Sequence, residues 1–140
     1  MLPLIIVTGP TTSKKSETAI ELAEKINSEI ISADSMQVYK YFDIGTAKVT
    51  PEDRSRVPHH LVDILEPDQE FSAFDFKNRA LDHTRELHSQ GKIPIITGGT
   101  GLYIKALCEG YDCAVQIKPE IKKQVKSDIL TKGLTKMHRE

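Results

Sequence analysis

An α/β domain built on a mostly parallel sheet is the fold class this chain predicts, because short apolar runs alternate with stretches of helical periodicity. The runs are Leu4-Ile5-Ile6-Val7, Glu29-Ile30-Ile31-Ser32-Ala33 and Ile93-Pro94-Ile95-Ile96-Thr97. They have the length and β-branched content of strands buried on both faces. A further observation is positional: a glycine-rich or acidic turn follows each run, and open α/β sheets bind ligands at the carboxyl ends of their strands.

After the first run, Ala19, Ile20, Leu22, Ala23 and Ile26 recur at helical spacing until the turn-forming Asn27-Ser28. The run at 29–33 then delivers Asp34 at its carboxyl end. From Met36 to Pro58 the pattern weakens, and Gly45, Pro51 and Pro58 punctuate a charged segment that reads as loop. Leu61-Val62-Asp63-Ile64-Leu65 reads as another strand. Ser72 and Asp75 can cap a helix whose apolar face is Phe76, Ala80, Thr84 and Leu87, ending near Gly91. The run at 93–97 contains Pro94, which predicts an edge strand. It leads into Gly98-Gly99-Thr100-Gly101 and a helix from Leu102 to Cys108. A last helix begins near Pro119, a favoured first-turn residue, and continues towards Leu130. No internal repeat or low-complexity tract interrupts the order.

At 140 residues, 39% hydrophobic and 28% charged, the chain is long enough for one ordinary core. Its formal charge of -1 excludes a protein that grips nucleic acid by net charge alone. Lys118, Lys122, Lys123, Lys126, Lys132 and Lys136 gather near the end, where a solvated helix face accounts for them. No apolar run approaches the roughly 20 residues of a bilayer span, and the start lacks the parts of a secretory signal, so a cytoplasmic protein without membrane contact is expected. Cys108 and Cys113 suit a reducing compartment as idle thiols, since a lone C-x4-C lacks the partners of a zinc site.

Chemistry begins at Gly9-Pro10-Thr11-Thr12-Ser13-Lys14-Lys15-Ser16. A strand, a glycine, four residues, Gly-Lys-Ser/Thr and a helix make a loop whose backbone N–H groups and lysine surround phosphate oxygens. Gly9, Lys15 and Ser16 fit, and Lys14 stands at the second glycine. A left-handed non-glycine residue costs roughly 1–2 kcal/mol. A displaced cradle would forfeit several charge-assisted hydrogen bonds, which is the larger loss. The expectation is therefore a phosphate site weakened by Lys14. Asp34, read alone, serves equally as a helix cap or a magnesium ligand, and the turn at 98–101 equally as a plain strand-to-helix connection.

Four ordered stretches decide between these readings: Asp34-Ser35-Met36-Gln37-Val38-Tyr39, Asp43-Ile44-Gly45-Thr46-Ala47-Lys48, Val57-Pro58-His59-His60-Leu61-Val62-Asp63 and Gly98-Gly99-Thr100-Gly101-Leu102-Tyr103. From residue 4 onward the chain resembles the tRNA dimethylallyltransferases, or tRNA isopentenyl transferases. The resemblance implies a three-layer fold like that of P-loop kinases, with residues 1–140 forming the N-terminal part of the prenyltransferase domain and no second complete domain. It implies transfer of a dimethylallyl group from dimethylallyl diphosphate to N6 of the adenosine 3′ of the anticodon, with the tRNA anticodon arm as partner and a monomeric full-length protein.

By the same resemblance Asp34 is the base, and Thr11 and Lys15 help to hold the diphosphate within the Gly9-to-Ser16 loop, with a magnesium ion near Ser16. Asp34, Ser35, Met36 and Gln37 would touch the target base and its neighbours. Thr100 and Lys122 would be further tRNA contacts, Lys122 standing where family members carry an arginine. His59, His60, Tyr39 and Tyr103 read at least as well as structural residues. Family members continue well past the equivalent of Glu140, so a chain truncated at its C-terminus is expected. It would lack the usual downstream arginine and expose an apolar face. The alternatives are a non-catalytic remnant with weak phosphate or RNA binding, an adenylate prenyltransferase and a small P-loop nucleotide kinase, and the phosphate loop leaves ATP open as a ligand.

Overall fold

The computed structural model describes residues 3–10, 13–109 and 118–137. Four parallel strands form one sheet in the order β1 (Ile5–Thr8), β4 (Ile95–Gly98), β2 (Ile30–Ser32) and β3 (His59–His60). Isoleucine and valine dominate the first three because both faces of a parallel sheet are covered, and β-branched side chains suit the pleat. Ile30 and Ile95 turn to one face, where they pack with Ala19, Ile20 and Ala23 of α1 (Lys15–Ile26) and with Val57. Ile31 and Ile96 turn to the other, against Phe76, Ala80 and Leu87 of α3 (Ala73–Ser89) and Tyr103 of α4 (Gly101–Cys108). The result is three layers. Each large apolar side chain so buried contributes about 1.5–3 kcal/mol.

The helices begin and end as the sequence directs. Ser72 and Asp75 form a reciprocal capping box at the start of α3, with Ser72 N–H donating to Asp75 Oδ2 at 2.9 Å and Asp75 N–H to Ser72 Oγ at 3.2 Å. Asn27 stops α1 in a left-handed conformation, which Asn tolerates better than most residues. Phe76, Ala80, Thr84 and Leu87 are all buried, as their spacing predicts.

Three expectations are corrected. β4 is interior, not an edge, because Pro94 lies one residue ahead of it: its carbonyl accepts from Ile5 N–H, and Ile95 N–H donates to Glu29 O, each at 3.0 Å. No ladder bond needs the N–H that proline lacks. The stretch Leu61 to Leu65 is not a strand of the sheet, since Leu61 (φ 61°) and Asp63 (φ 56°) are left-handed. The strand is the preceding His59–His60, and the chain then pairs irregularly with 37–40, Ile64 N–H donating to Val38 O and Lys40 N–H to Leu65 O, both at 2.9 Å. Within the expected loop lies a short helix, α2 (Pro51–Arg56), which Thr50 caps by accepting Asp53 N–H at 3.1 Å. Its signal, a capping Thr before Pro and two acidic residues, was present in the sequence.

Helix α5 (Pro119–Lys132) is followed by α6 (Leu134–Met137). Its Ile121, Val125 and Leu130 are exposed, as are its lysines. Cys113 lies outside the described residues, and Cys108 is an exposed free thiol. Among the described residues no helix is long and apolar enough to cross a membrane.

Candidate phosphate and acceptor site

Strand β1 ends at Thr8 and leads into Gly9, and α1 opens at Lys15 without a side-chain cap. The first-turn N–H groups and the positive end of the helix dipole are thus left for a ligand. Lys14 occupies the N-cap at φ 57°, ψ 20°, and its carbonyl accepts Thr18 N–H at 3.0 Å. The chain therefore takes the left-handed conformation that a glycine would, incurring the smaller of the two penalties anticipated for Lys14. Ser13 N–H donates to Pro10 O at 3.3 Å, and Lys15 Nζ to the same carbonyl at 3.4 Å. Ser16 is exposed on the first turn of α1. Thr11 and Thr12, expected in this loop, lie outside the described residues.

Asp34 follows β2 and folds back as a turn, with Oδ1 accepting from Met36 N–H at 2.9 Å and Gln37 N–H at 3.2 Å. Among the described residues Oδ2 has no hydrogen-bond partner, so a carboxylate held by one oxygen offers the other. The end of β4 approaches this turn closely. A Cβ on Gly98 would stand 2.2 Å from Ala33 O, so only glycine fits there. Thr100 N–H then donates to Ala33 O at 3.2 Å, and Thr100 Oγ1 accepts Ser35 N–H at 3.0 Å.

These elements enclose one cavity of about 260 Å³, lined by Lys15, Ser16, Asp34, Gln37, His59 and Gly98 among others. Met36 also lines it, and Ser35 and Thr100 support its rim. Lys122 does not line it and instead forms an ion pair with Glu70 at 3.2 Å. The Gln37 side chain is committed to the protein, with Nε2 donating to Thr46 O at 3.3 Å and Ala47 O at 2.9 Å. His59 Nδ1 lies 2.7 Å from Val57 O. A carbonyl only accepts, so Nδ1 carries the proton. Burial pushes the His59 pKa below the ordinary histidine value, which favours that neutral ring. The buried Thr97 hydroxyl at the cavity has no partner among the described residues.

Sequence reasoning missed Lys48, whose side chain is 5% exposed and whose ammonium donates to Tyr39 O at 2.8 Å, Asp43 Oδ1 at 2.8 Å and Asp63 Oδ1 at 2.6 Å. Burial alone would push its pKa down, but the hydrogen bonds it donates to Asp43 and Asp63 outweigh that and hold the pKa above the ordinary lysine value. Tyr103 is a core residue stacked on Phe76 at 4.6 Å between centroids, and burial pushes its phenol up to about 12. Tyr39 packs on Phe42 with centroids 5.9 Å apart. His60 is paired with Glu29 at 2.7 Å on the α3 side, where its ring lies tilted against that of His83 with centroids 4.3 Å apart.

A parallel sheet between helical layers, with an uncapped helix N-terminus and an acidic turn meeting at its carboxyl edge, defines an α/β domain of the P-loop NTPase type. The family model described as IPP transferase matches residues 37–140, and the chain belongs to that family. It is 48% identical over 137 residues to a tRNA dimethylallyltransferase of Syntrophobacter fumaroxidans, covering 98% of this chain and 40% of that protein. Among solved structures it is similar to the full-length tRNA isopentenylpyrophosphate transferase of Bacillus halodurans, with 37% identity, a TM-score of 0.78, and 99% of this chain and 46% of that one covered. It is also similar to a eukaryotic dimethylallyltransferase captured acting on tRNA, at 35% identity and a TM-score of 0.74, with 84% and 29% covered. The chain thus spans about 40% of the length of the curated relative.

Proposed function

We propose that the chain forms the diphosphate and adenosine half-sites of a tRNA dimethylallyltransferase. The supporting observation is the single cavity that holds Lys15 and Ser16 together with Asp34. Dimethylallyl diphosphate binds with its diphosphate against the Gly9-to-Ser16 loop. N6 of the adenosine 3′ of the anticodon attacks the allylic carbon, the bond from that carbon to the diphosphate oxygen breaks, and its electron pair leaves with the diphosphate. The N6 proton passes to Asp34, whose Oδ1 is fixed by two backbone N–H groups and whose Oδ2 is available. Lys15 and the helix N-terminus stabilise the charge that develops on the leaving group.

A magnesium ion fits this site in the manner of phosphate-bound magnesium, which takes one or two protein oxygens and the substrate's own phosphates. Ser16 Oγ would hold it, and no cluster of three or more ligand side chains occurs among the described residues. When bound, the ion neutralises diphosphate charge. The adenosine must leave its stack to reach Asp34, so the acceptor is an unpaired loop base such as one in a tRNA anticodon arm. The work takes place in the cytoplasm.

The test is incubation of the chain with dimethylallyl diphosphate, magnesium and an unmodified anticodon stem-loop, with mass spectrometry for one added C5H8 unit on adenosine. Asp34→Asn should lower the rate about 100-fold or more. Transfer to AMP but not to the stem-loop would make the chain an adenylate prenyltransferase. Diphosphate binding without any transfer would leave a binding remnant.

A further inference from the structure

We propose that Lys48 is the positioning residue of the acceptor side of this cavity, acting on Asp34 through Gln37. That the acceptor is an RNA adenosine rests on the functional reading above; the clamp itself comes from geometry.

Gly45, Thr46, Ala47 and Val49 line the cavity, yet the segment they form belongs to no helix or strand of the sheet. Gly45 (φ 85°) and Ala47 (φ 47°) are both left-handed, and Ile44 is fully exposed. Such a segment keeps one shape only where other groups impose it. A closed ring of hydrogen bonds does so. Gln37 Nε2 donates to Ala47 O at 2.9 Å; the next residue, Lys48, reaches Asp63 at 2.6 Å; and Asp63 N–H returns to Gln37 O at 3.0 Å. Gln37 N–H is in turn one of the two groups that hold Asp34 Oδ1. Three hydrogen bonds, through Asp63 and Gln37, therefore join Lys48 to the proposed base.

Two features separate this role from general scaffolding. None of Gln37, Ala47, Lys48 and Asp63 belongs to the two apolar clusters that hold the sheet to its helices, and Gln37 meets the sheet through Ser32 Oγ, which donates to its Oε1 at 3.5 Å. Asp63 also accepts from Arg54 at 2.8 Å, so it remains paired when Lys48 is replaced. Loss of the ammonium should loosen the wall and spare the sheet. Gln37 has no free amide group for reading a base while the ring is closed, which assigns it to support of the wall.

The experiment uses the chain, Lys48→Met and Lys48→Arg, and reads amide hydrogen exchange together with steady-state transfer at varied stem-loop and varied dimethylallyl diphosphate. In Lys48→Met the 43–49 amides should exchange faster by about tenfold or more, the factor carried by one charge-assisted hydrogen bond. Amides of β1 and β4 should be unchanged. KM for the stem-loop should rise with KM for the diphosphate constant, and Lys48→Arg should recover most of both effects. Unchanged exchange at 43–49, equal acceleration in the strands, or equal change in the two KM values would overturn the assignment. If the unsubstituted chain transfers nothing, the functional reading fails on that result, while the exchange comparison still decides whether Lys48 fixes the wall.

Discussion

Replacing Lys14 with glycine should stabilise the chain slightly and leave diphosphate binding in place. A non-glycine residue at φ 57° carries roughly 1–2 kcal/mol of strain. Glycine removes that strain but adds about 0.5–1 kcal/mol through the greater freedom of the unfolded chain. The substitution also removes the Lys14–Glu17 pair, which at 3.9 Å between exposed side chains contributes a few tenths of a kcal/mol at most. The balance is a gain of about 0.5 kcal/mol, or a Tm higher by about 1–2 °C for a domain of this size. Lys14→Val, whose branched Cβ suits a left-handed backbone least, should fall about 1 kcal/mol below the parent. Because the lysine already holds the conformation glycine would take, the N–H cradle needs no rearrangement. Calorimetric titration with dimethylallyl diphosphate and magnesium should then show both proteins binding. A Lys14→Gly protein that melts below the parent, or binding by Lys14→Gly alone, would refute the reasoning.

Three further outcomes follow from the same geometry. Gly98→Ala should destabilise the chain by about 3 kcal/mol or more, because its Cβ would meet Ala33 O at 2.2 Å and the neighbour is backbone; urea denaturation measures it. Thr100→Val should cost about 1–2 kcal/mol by stranding Ser35 N–H, and Thr100→Ser should restore it. Burial depresses the pKa values of His59 and His83, with His60 adding repulsion at His83. Both contribute stability that is complete above the unfolded histidine value near pH 6.5 and is lost as pH falls towards their lower folded values. The urea midpoint should therefore drop between about pH 7.5 and about pH 5.5, less steeply in His83→Leu; an unchanged slope in that variant would remove His83 from the account.

What could be read in the sequence was local. The isoleucine runs at 30–31 and 95–96 become strands because their own composition suits a covered sheet, and α3 starts at Ser72 because Ser72 and Asp75 satisfy one another three residues apart. What could not be read is imposed from outside. His59-His60 carries no strand signal and pairs because Ile30 presents a free edge, Ile30 N–H donating to Pro58 O at 3.0 Å. Leu61, Val62 and Leu65 are buried, and an apolar run that is buried does not by itself tell a strand from an irregular return. Left-handed Leu61 and Asp63 have no signature in residue type.

The same division runs through the site proposed for the diphosphate and the acceptor. The diphosphate half is written in one contiguous stretch, where a strand end, a loop and a helix start suffice to aim N–H groups at an anion, and even a wrong residue, Lys14, is absorbed by one dihedral angle. The acceptor half is assembled from contacts that no short window contains: Ser35 to Thr100 across 65 residues, Gly98 against Ala33, and Lys48 to Asp63 across 15. A phosphate loop is common to many chemistries, so it cannot by itself select a prenyl acceptor. In the proposed reaction that selection falls to the long-range half, where Gln37 N–H holds Asp34 Oδ1 and Gln37 Nε2 is bound to the Ala47 carbonyl beside Lys48. Substitutions in the loop should accordingly change how tightly the diphosphate is held. Substitutions in the ring from Gln37 through Lys48 to Asp63 should change how tightly the acceptor is held.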